Sequence, residues 1–84
     1  MTEQKILTLR DCKEGDRAKI KKVRKGPLEK RLREMGFVLG AEIEIVKYAP
    51  LKDPIELIIK NYHLSLRRDE AEWIEVESLT EQIS

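Results

Sequence analysis

The clearest pattern in the chain is a helical stripe of apolar residues that changes, within a few positions, to the alternation of a strand. Leu28, Leu32 and Met35 lie four and three positions apart, so they share one helix face, and the residues between them are charged. In residues 41–48 the apolar spacing becomes two, as in a half-buried strand. The pattern predicts a short helix over residues 27–35 that packs on a sheet.

Two glycines mark the change from helix to strand. Gly36 follows the last residue of the stripe, where a residue without a Cβ commonly closes a helix, and Phe37 is placed to fold back as the apolar partner of that cap. Gly40 then opens the strand. We interpret both as turn residues that determine the fold, because the glycines of a phosphate-binding loop precede a helix rather than follow one.

Short stretches of alternating apolar and polar residues predict the strands of the sheet. They are residues 17–24, 41–48, 55–60, 62–66 and 73–77. The first two stretches each contain a slip in the alternation, which predicts a bulge. Residues 67–72 favour one helical turn. The chain is therefore predicted to be mainly β, a small barrel of about five short strands with one short α-helix between strands 1 and 2.

Length and composition favour a single folded domain over residues 1–84. The chain is 40% hydrophobic and 39% charged, which is too apolar for disorder, and it has no apolar run long enough to cross a membrane. Its first residues are polar and do not resemble a signal peptide. The single cysteine, Cys12, fits a reducing compartment, so we expect a cytoplasmic protein.

The residues suggest neither a catalytic site nor a cofactor site. No nucleophile with a neighbouring base, no carboxylate pair in a pocket pattern and no cofactor fingerprint can be assembled. Cys12 is most simply a small buried residue, and His63 is an exposed turn residue. Together they are an incomplete ligand set, so any metal bound by Cys12 or His63 would be adventitious. We expect no enzyme, no cofactor and no metal site.

Charge is distributed unevenly, although the formal net charge is only +1. Residues 17–33 contain nine Lys or Arg and one acid, whereas six acids and no base follow from residue 69 onward. Such asymmetry can mark a surface that attracts a charged partner. It can equally mark two solvated faces that complement each other in the folded chain. A small basic RNA-binding barrel is an alternative, but the aromatic residues are scattered rather than clustered for base stacking.

Several segments resemble the FeoA family. In residues 31–45 a helix-ending Leu-x-x-x-Gly turn is followed by a glycine that opens a strand, as in that family. Residues 49–56 are similar to the family's loop and strand entry, and residues 64–71 to its Leu-Arg-x-x-Glu-Ala segment. Lys52 and Asn61 stand where family members often have glycine, although Asn61 tolerates the same backbone conformation. The resemblance covers nearly the whole chain.

The resemblance implies an SH3-like barrel in the cytoplasm. It implies an accessory protein of bacterial ferrous iron transport that is not an enzyme and that acts by contact with the cytosolic part of FeoB, a membrane transporter with a GTP-binding domain. The chain would then meet the membrane only through this partner, and no nucleic acid is expected. An SH3-like regulatory domain related to iron-dependent repressors is the other alternative, against which the chain has no helix-turn-helix pattern.

Charge and expected exposure, rather than a family motif, suggest which surface meets the partner. We expect it on the outer side of the helix and its flanks. The candidate partner-binding residues are Lys22, Lys25, Arg31, Arg33, Tyr48 and Leu51.

Overall fold

A single antiparallel sheet forms the centre of the computed structural model, which describes residues 7–79 of the chain. Within that range the six strands are β1 (Leu7–Thr8), β2 (Arg17–Val23), β3 (Glu42–Tyr48), β4 (Ile55–Ile59), β5 (Tyr62–Leu66) and β6 (Ile74–Ser78). The strands are ordered β1-β6-β2-β3-β4-β5 across the sheet. A 3-10 turn (Leu9–Asp11) follows β1, helix α1 (Glu29–Glu34) lies between β2 and β3, and helix α2 (Arg68–Ala71) lies between β5 and β6.

The predicted small barrel of about five strands, with one helix between strands 1 and 2, is wrong in three respects. The sheet is open, because β1 pairs only with β6 and β5 pairs only with β4 among the described strands. There are six described strands, since Leu7–Thr8 pairs with β6, and two residues are too few to produce a visible alternation. This additional strand places α1 between the second and third strands. Helix α2 confirms the helical turn predicted for residues 67–72.

The alternation in the strands correctly identifies which side chains form the core. In β2, β3, β4 and β6, alternating residues point inward and are almost completely shielded from solvent. The inward residues are Ala18, Ile20, Ile43, Ile45, Ile55, Leu57, Ile59, Ile74 and Val76. Both predicted bulges are confirmed, because the register shifts between Ile20 and Lys22 in β2 and between Ile45 and Lys47 in β3. Bulges increase local twist, which lets the sheet bend around its small core.

Helix α1 ends in a hydrogen-bonded turn that returns the chain to the core. Gly36 has φ +110°, its N–H donates to the Arg33 carbonyl at 3.0 Å, and the Phe37 N–H donates to the Leu32 carbonyl at 3.0 Å. These two bonds are those of a Schellman motif. Leu32 and Phe37 are both fully buried. The helix is shorter than the predicted 27–35, because Pro27 belongs to the preceding turn and Met35 is the C-cap.

Gly40 connects this turn to β3. It has φ +85°, and its N–H donates to the Ile20 carbonyl at 2.8 Å. The Ile20 N–H in turn donates to the Ala41 carbonyl at 2.8 Å. Gly40 and Ala41 therefore extend the pairing of β2 beyond the start of β3, and the segment that follows α1 is held against the sheet.

Replacing Gly36 by valine should destabilise the fold through the backbone alone. A Cβ at this position would meet no atom within 4 Å, so the cost comes from the positive φ, which a β-branched residue adopts only with strain. We expect the free energy of unfolding to fall by about 1 to 3 kcal/mol. Urea unfolding measures this change. Lys30→Val, at an exposed position of α1, is the control and should cost about 0.5 kcal/mol. Equal stabilities for the two variants would contradict the prediction.

Replacing Gly26 by alanine should disturb the chain's single tryptophan. A Cβ on Gly26 would lie 2.4 Å from Cζ3 and 2.8 Å from Cη2 of Trp73, so the half-buried ring must move. We expect a shift in tryptophan fluorescence and a loss of about 1 kcal/mol or more in unfolding free energy. In the control Gly15→Ala the added Cβ meets nothing within 4 Å, so the emission should be unchanged. An unchanged emission for Gly26→Ala would show that Trp73 does not cover this glycine.

Candidate partner-binding groove

A groove of about 500 Å³ lies between the end of β2, helix α1 and the segment that follows the helix. We call it the basic groove. Its lining residues are Lys21, Lys22, Val23, Lys25, Glu29, Arg33, Phe37, Val38 and Leu39. On one side of the groove, the buried side chain of Leu32 holds α1 against the sheet. On the other side, the bulge in β2 places the lysines of that strand at the groove. The groove is therefore a direct product of the helix and its capping turn.

The wall of the basic groove that follows α1 is apolar, and part of it is exposed to solvent. Phe37 is fully buried, whereas Val38 is partly exposed and Leu39 is 74% exposed. An exposed leucine alone is unremarkable on a protein surface, but here it adjoins an apolar neighbour and a concave region. Burying such side chains against another protein would be favourable, because apolar area would be removed from water.

Other cations on β2 and directly after it lie close to carboxylates. Lys19 lies opposite Glu42 on β3 and Glu77 on β6, and Arg24 Nε donates to Glu75 Oε2 at 2.9 Å. Strand β2 from the basic first half of the chain and strand β6 from the acidic last third are thus neighbours in one sheet. For β2, the structure favours the interpretation of the charge asymmetry as complementary faces.

The lysines of the basic groove differ from these cations. Lys22 lies opposite Glu75 of β6, but that carboxylate is bonded to Arg24. Lys21, Lys22 and Lys25 have no carboxylate within ion-pair distance in residues 7–79. Arg33 pairs with Glu29 one helical turn earlier, with Nη2 and Oε2 3.3 Å apart. Such an exposed pair contributes little to stability and leaves the groove with an excess of positive charge. The groove is therefore suited to an acidic partner surface.

The six candidate residues do not form one surface. Lys22, Lys25 and Arg33 line the basic groove together. Tyr48 lies in a separate pocket beside Cys12, where its hydroxyl donates to the Cys12 carbonyl and its N–H donates to Glu14 Oε2 at 3.0 Å. Leu51 is 88% exposed in the loop between β3 and β4. Its neighbour Lys52, rather than Leu51 itself, lines the pocket of Tyr48.

Arg31 faces helix α2 instead of the basic groove. Its Nη1 lies 2.9 Å from Oε2 of Glu70, a residue that is only 8% exposed. The other oxygen, Glu70 Oε1, accepts the Arg67 N–H at 3.0 Å and so caps the start of α2. Arg31 therefore compensates the charge of a buried carboxylate that links the two helices.

Three residues of the groove were not predicted from the sequence: Lys21, Val38 and Leu39. Lys21 belongs to the same basic run as Lys22. Val38 and Leu39 follow the helix-capping glycine and Phe37 directly in the sequence. Because one of these two apolar residues cannot point into the core, the sequence already indicated an exposed apolar side chain here.

The described residues offer little for metal binding. No group of three or more His, Cys, Asp or Glu residues is placed to hold an ion in residues 7–79. Burial raises the pKa of the Cys12 thiol to about 11, and Asp16 and Asp11 add to this shift. The thiol is therefore protonated near neutral pH, whereas metal ligation requires the thiolate. His63 is exposed in β5 and does not line the pocket that contains Cys12.

Helices of residues 7–79 are all too short to span a bilayer. The longest of them, α1, has six residues. A membrane-spanning helix needs about 20 apolar residues.

Comparison with known proteins identifies close relatives. Residues 7–78 match the FeoA domain family. A Porphyromonas gingivalis protein, a fusion of Fe(2+) transport protein A with the Fe(2+) transporter FeoB, is 44% identical over 75 residues. The aligned region is 88% of this chain but only 9% of that protein, so the chain corresponds to a small part of the relative.

Two solution structures share both fold and sequence with the chain. FeoA from Chlorobium tepidum has a TM-score of 0.80 at 40% identity, and the match covers 88% of this chain and 71% of that one. An FeoA-like protein from Clostridium acetobutylicum has a TM-score of 0.87 at 35% identity, with 98% and 96% covered. The chain therefore shares its fold with these solved structures.

A crystal structure relates the fold of the chain to SH3 domains. FeoA from Stenotrophomonas maltophilia, described as an SH3 domain protein in complex with zinc, is 28% identical with a TM-score of 0.75, covering 84% of this chain and 89% of that one. A manganese-dependent transcriptional repressor shares the fold alone, with a TM-score of 0.80 at 18% identity over 92% of this chain and 38% of that one. Because the family match spans nearly all described residues and a relative is 44% identical, the chain belongs to the FeoA family, which is linked to ferrous iron transport.

Proposed function

We propose that the chain is a cytoplasmic, non-enzymatic accessory protein of ferrous iron transport that binds the cytosolic part of a FeoB-type transporter. The observation that carries this proposal is the Porphyromonas gingivalis relative, in which an FeoA-like region and the transporter are one polypeptide. Covalent fusion gives two domains a high effective concentration, which favours a contact between them. The chain reaches the membrane only through this partner and requires no cofactor of its own.

The basic groove is the surface that best suits this contact. Exposed Val38 and Leu39 supply apolar area, and Lys22 and Lys25 supply charge that no described carboxylate neutralises. Apolar anchors near the centre of an interface account for much of its affinity, and complementary charges increase the association rate and select the partner. We infer that the partner presents an apolar side chain flanked by acidic residues to this groove.

Reversing two charges of the basic groove tests the proposal. The double variant Lys22→Glu and Lys25→Glu should raise the dissociation constant for the purified cytosolic domain of the transporter by about tenfold or more, because two attractive contacts become repulsive. Calorimetric titration at low and high salt measures the change. The difference between the wild-type and variant chains should shrink at high salt, since screening weakens exposed charge interactions.

The matched control reverses two lysines outside the groove. Lys13→Glu with Lys47→Glu makes the same change in net charge at two exposed positions that do not line the basic groove. Its dissociation constant should stay near that of the wild type. Equal losses for both double variants would indicate a net-charge effect, and equal binding for all three proteins would contradict the assignment of the groove.

Shortening the exposed leucine tests the apolar part of the contact. Leu39 is 74% exposed, so Leu39→Ser should leave the unfolding transition nearly unchanged. If the partner covers this side chain, the dissociation constant for the same transporter domain should rise about tenfold, and this loss should persist at high salt. Leu51→Ser, at another exposed loop leucine outside the groove, is the control. Unchanged binding of Leu39→Ser would remove Leu39 from the interface.

A further inference from the structure

Strand β5 forms an unpaired edge of the sheet. It pairs only with β4, so one side of its backbone has no neighbouring strand in the part of the chain that the structure describes. The opposite edge, β1, has two residues within the described range, whereas β5 has five. An edge strand carries a row of free N–H and C=O groups that can pair with another polypeptide. The edge of β5 is therefore the longer of the two places where a strand could be added.

The hairpin geometry specifies which backbone groups face outward. The turn between β4 and β5 consists of Lys60 and Asn61, both with positive φ, so Ile59 and Tyr62 form the hydrogen-bonded pair that closes it. Hydrogen-bonded and non-hydrogen-bonded pairs then alternate along the hairpin. His63 and Ser65 are in the non-hydrogen-bonded pairs. Their N–H and C=O groups point away from β4, toward the free edge.

The edge of β5 lacks the usual features that prevent strand addition. Natural edge strands are commonly protected by Lys or Glu side chains, proline or a bulge. The sequence of β5, Tyr-His-Leu-Ser-Leu, contains none of these residues in a chain that is 39% charged, and its pairing with β4 is regular. Tyr62, at its start, is 70% exposed. The edge is thus both accessible and unprotected.

A pocket lined by two arginines and two carboxylates lies beside the end of this edge. Its volume is about 320 Å³, and Ser65 lines it together with Arg31, Arg67, Glu70, Asp53 and Pro54. Arg31 is already paired with Glu70. The side chain of Arg67 is exposed, and no carboxylate of residues 7–79 lies within ion-pair distance of it. Asp53 Oδ1 accepts the Arg68 N–H at 3.0 Å, so Arg67 is the cation of this pocket that can meet a carboxylate of a strand added along β5.

Charge at the two ends of β5 argues against a second copy of the chain as the occupant. Lys60 precedes the strand, and Arg67 and Arg68 follow it. Antiparallel pairing of β5 with itself, centred on Leu64, would place Lys60 of each copy opposite Arg68 of the other. Like charges that face each other across strands are destabilising. An extended segment with acidic residues near its ends would instead meet a cation at both ends.

We propose that the β5 edge binds an extended, acidic-flanked segment of the transporter's cytosolic part, which adds a seventh strand to the sheet through the backbone of His63 and Ser65. This inference rests on the proposed function. Backbone hydrogen bonds supply affinity in this mode of recognition, and side-chain pockets supply specificity. Here the pocket beside Ser65 provides specificity by receiving a carboxylate of the added strand, and Tyr62 provides apolar contact.

Replacing Ser65 by proline tests the inference directly. Because the Ser65 N–H points away from β4, proline removes a donor of the free edge without removing a bond of the β4–β5 pairing. Ser65→Pro should keep its unfolding transition and raise the dissociation constant for the transporter's cytosolic domain about tenfold. Ser65→Ala keeps the N–H and is the matched control, with binding close to that of the wild type. Amide exchange of His63 and Ser65 in the wild-type chain should slow when that domain is added.

Each outcome of this experiment decides the inference. Equal binding by Ser65→Pro and Ser65→Ala overturns the assignment of the β5 edge. If Lys22→Glu with Lys25→Glu still weakens binding in that case, the basic groove is retained as the binding surface. No binding by the wild-type chain overturns both the inference and the proposed function. A dimer of the free wild-type chain that Ser65→Pro abolishes assigns the edge to a second copy instead. If Ser65→Pro unfolds, unchanged exchange of the His63 and Ser65 amides in the wild-type complex overturns the inference.

Discussion

The burial of Phe37 is the interaction on which the rest of this small structure depends. It is among the largest fully buried side chains, and it reaches the core only because Gly36 reverses the chain directly after α1. A helix of six residues is not stable alone. Helix α1 is stabilised because Leu32 within it and Phe37 after its capping turn are both buried in the core. The same reversal brings Val38 and Leu39 to the surface, so the turn that completes the core also builds one wall of the basic groove.

Charge neutralisation within the sheet determines which cations remain available. The central position of β2 places its lysines and arginines between the acidic residues of β3 and β6, and most of them face a carboxylate there. Lys22 lies opposite Glu75, but Glu75 is bonded to Arg24, and Lys25 lies beyond the end of β2. A chain with a net charge of only +1 thereby presents a local positive surface. Such a surface attracts an acidic partner without making the whole protein basic.

The open sheet separates the two surfaces that we propose for partner contact. One is the basic groove, where side chains dominate, and the other is the β5 edge, where the backbone is free. Helix α2 lies next to the second of these, and the Arg31 and Glu70 pair ties it to α1. Because Glu70 is buried and charged, loss of its cation would leave an uncompensated charge inside the protein, which is costly. This pair therefore serves the fold while it lines the pocket beside the edge.

The sequence by itself determined what depends on neighbouring residues. The alternation identified the inward side chains, the slips located both bulges, and the Leu-x-x-x-Gly pattern predicted the turn after α1, because backbone preference and side-chain period are local properties. Only the tertiary structure decided that Leu7–Thr8 pairs as a strand and that the sheet stays open. It alone decided that Arg31 meets Glu70 and that Tyr48 and Leu51 lie away from the groove. These features depend on where distant strands end and how the sheet bends, and no local spacing encodes such a long-range arrangement.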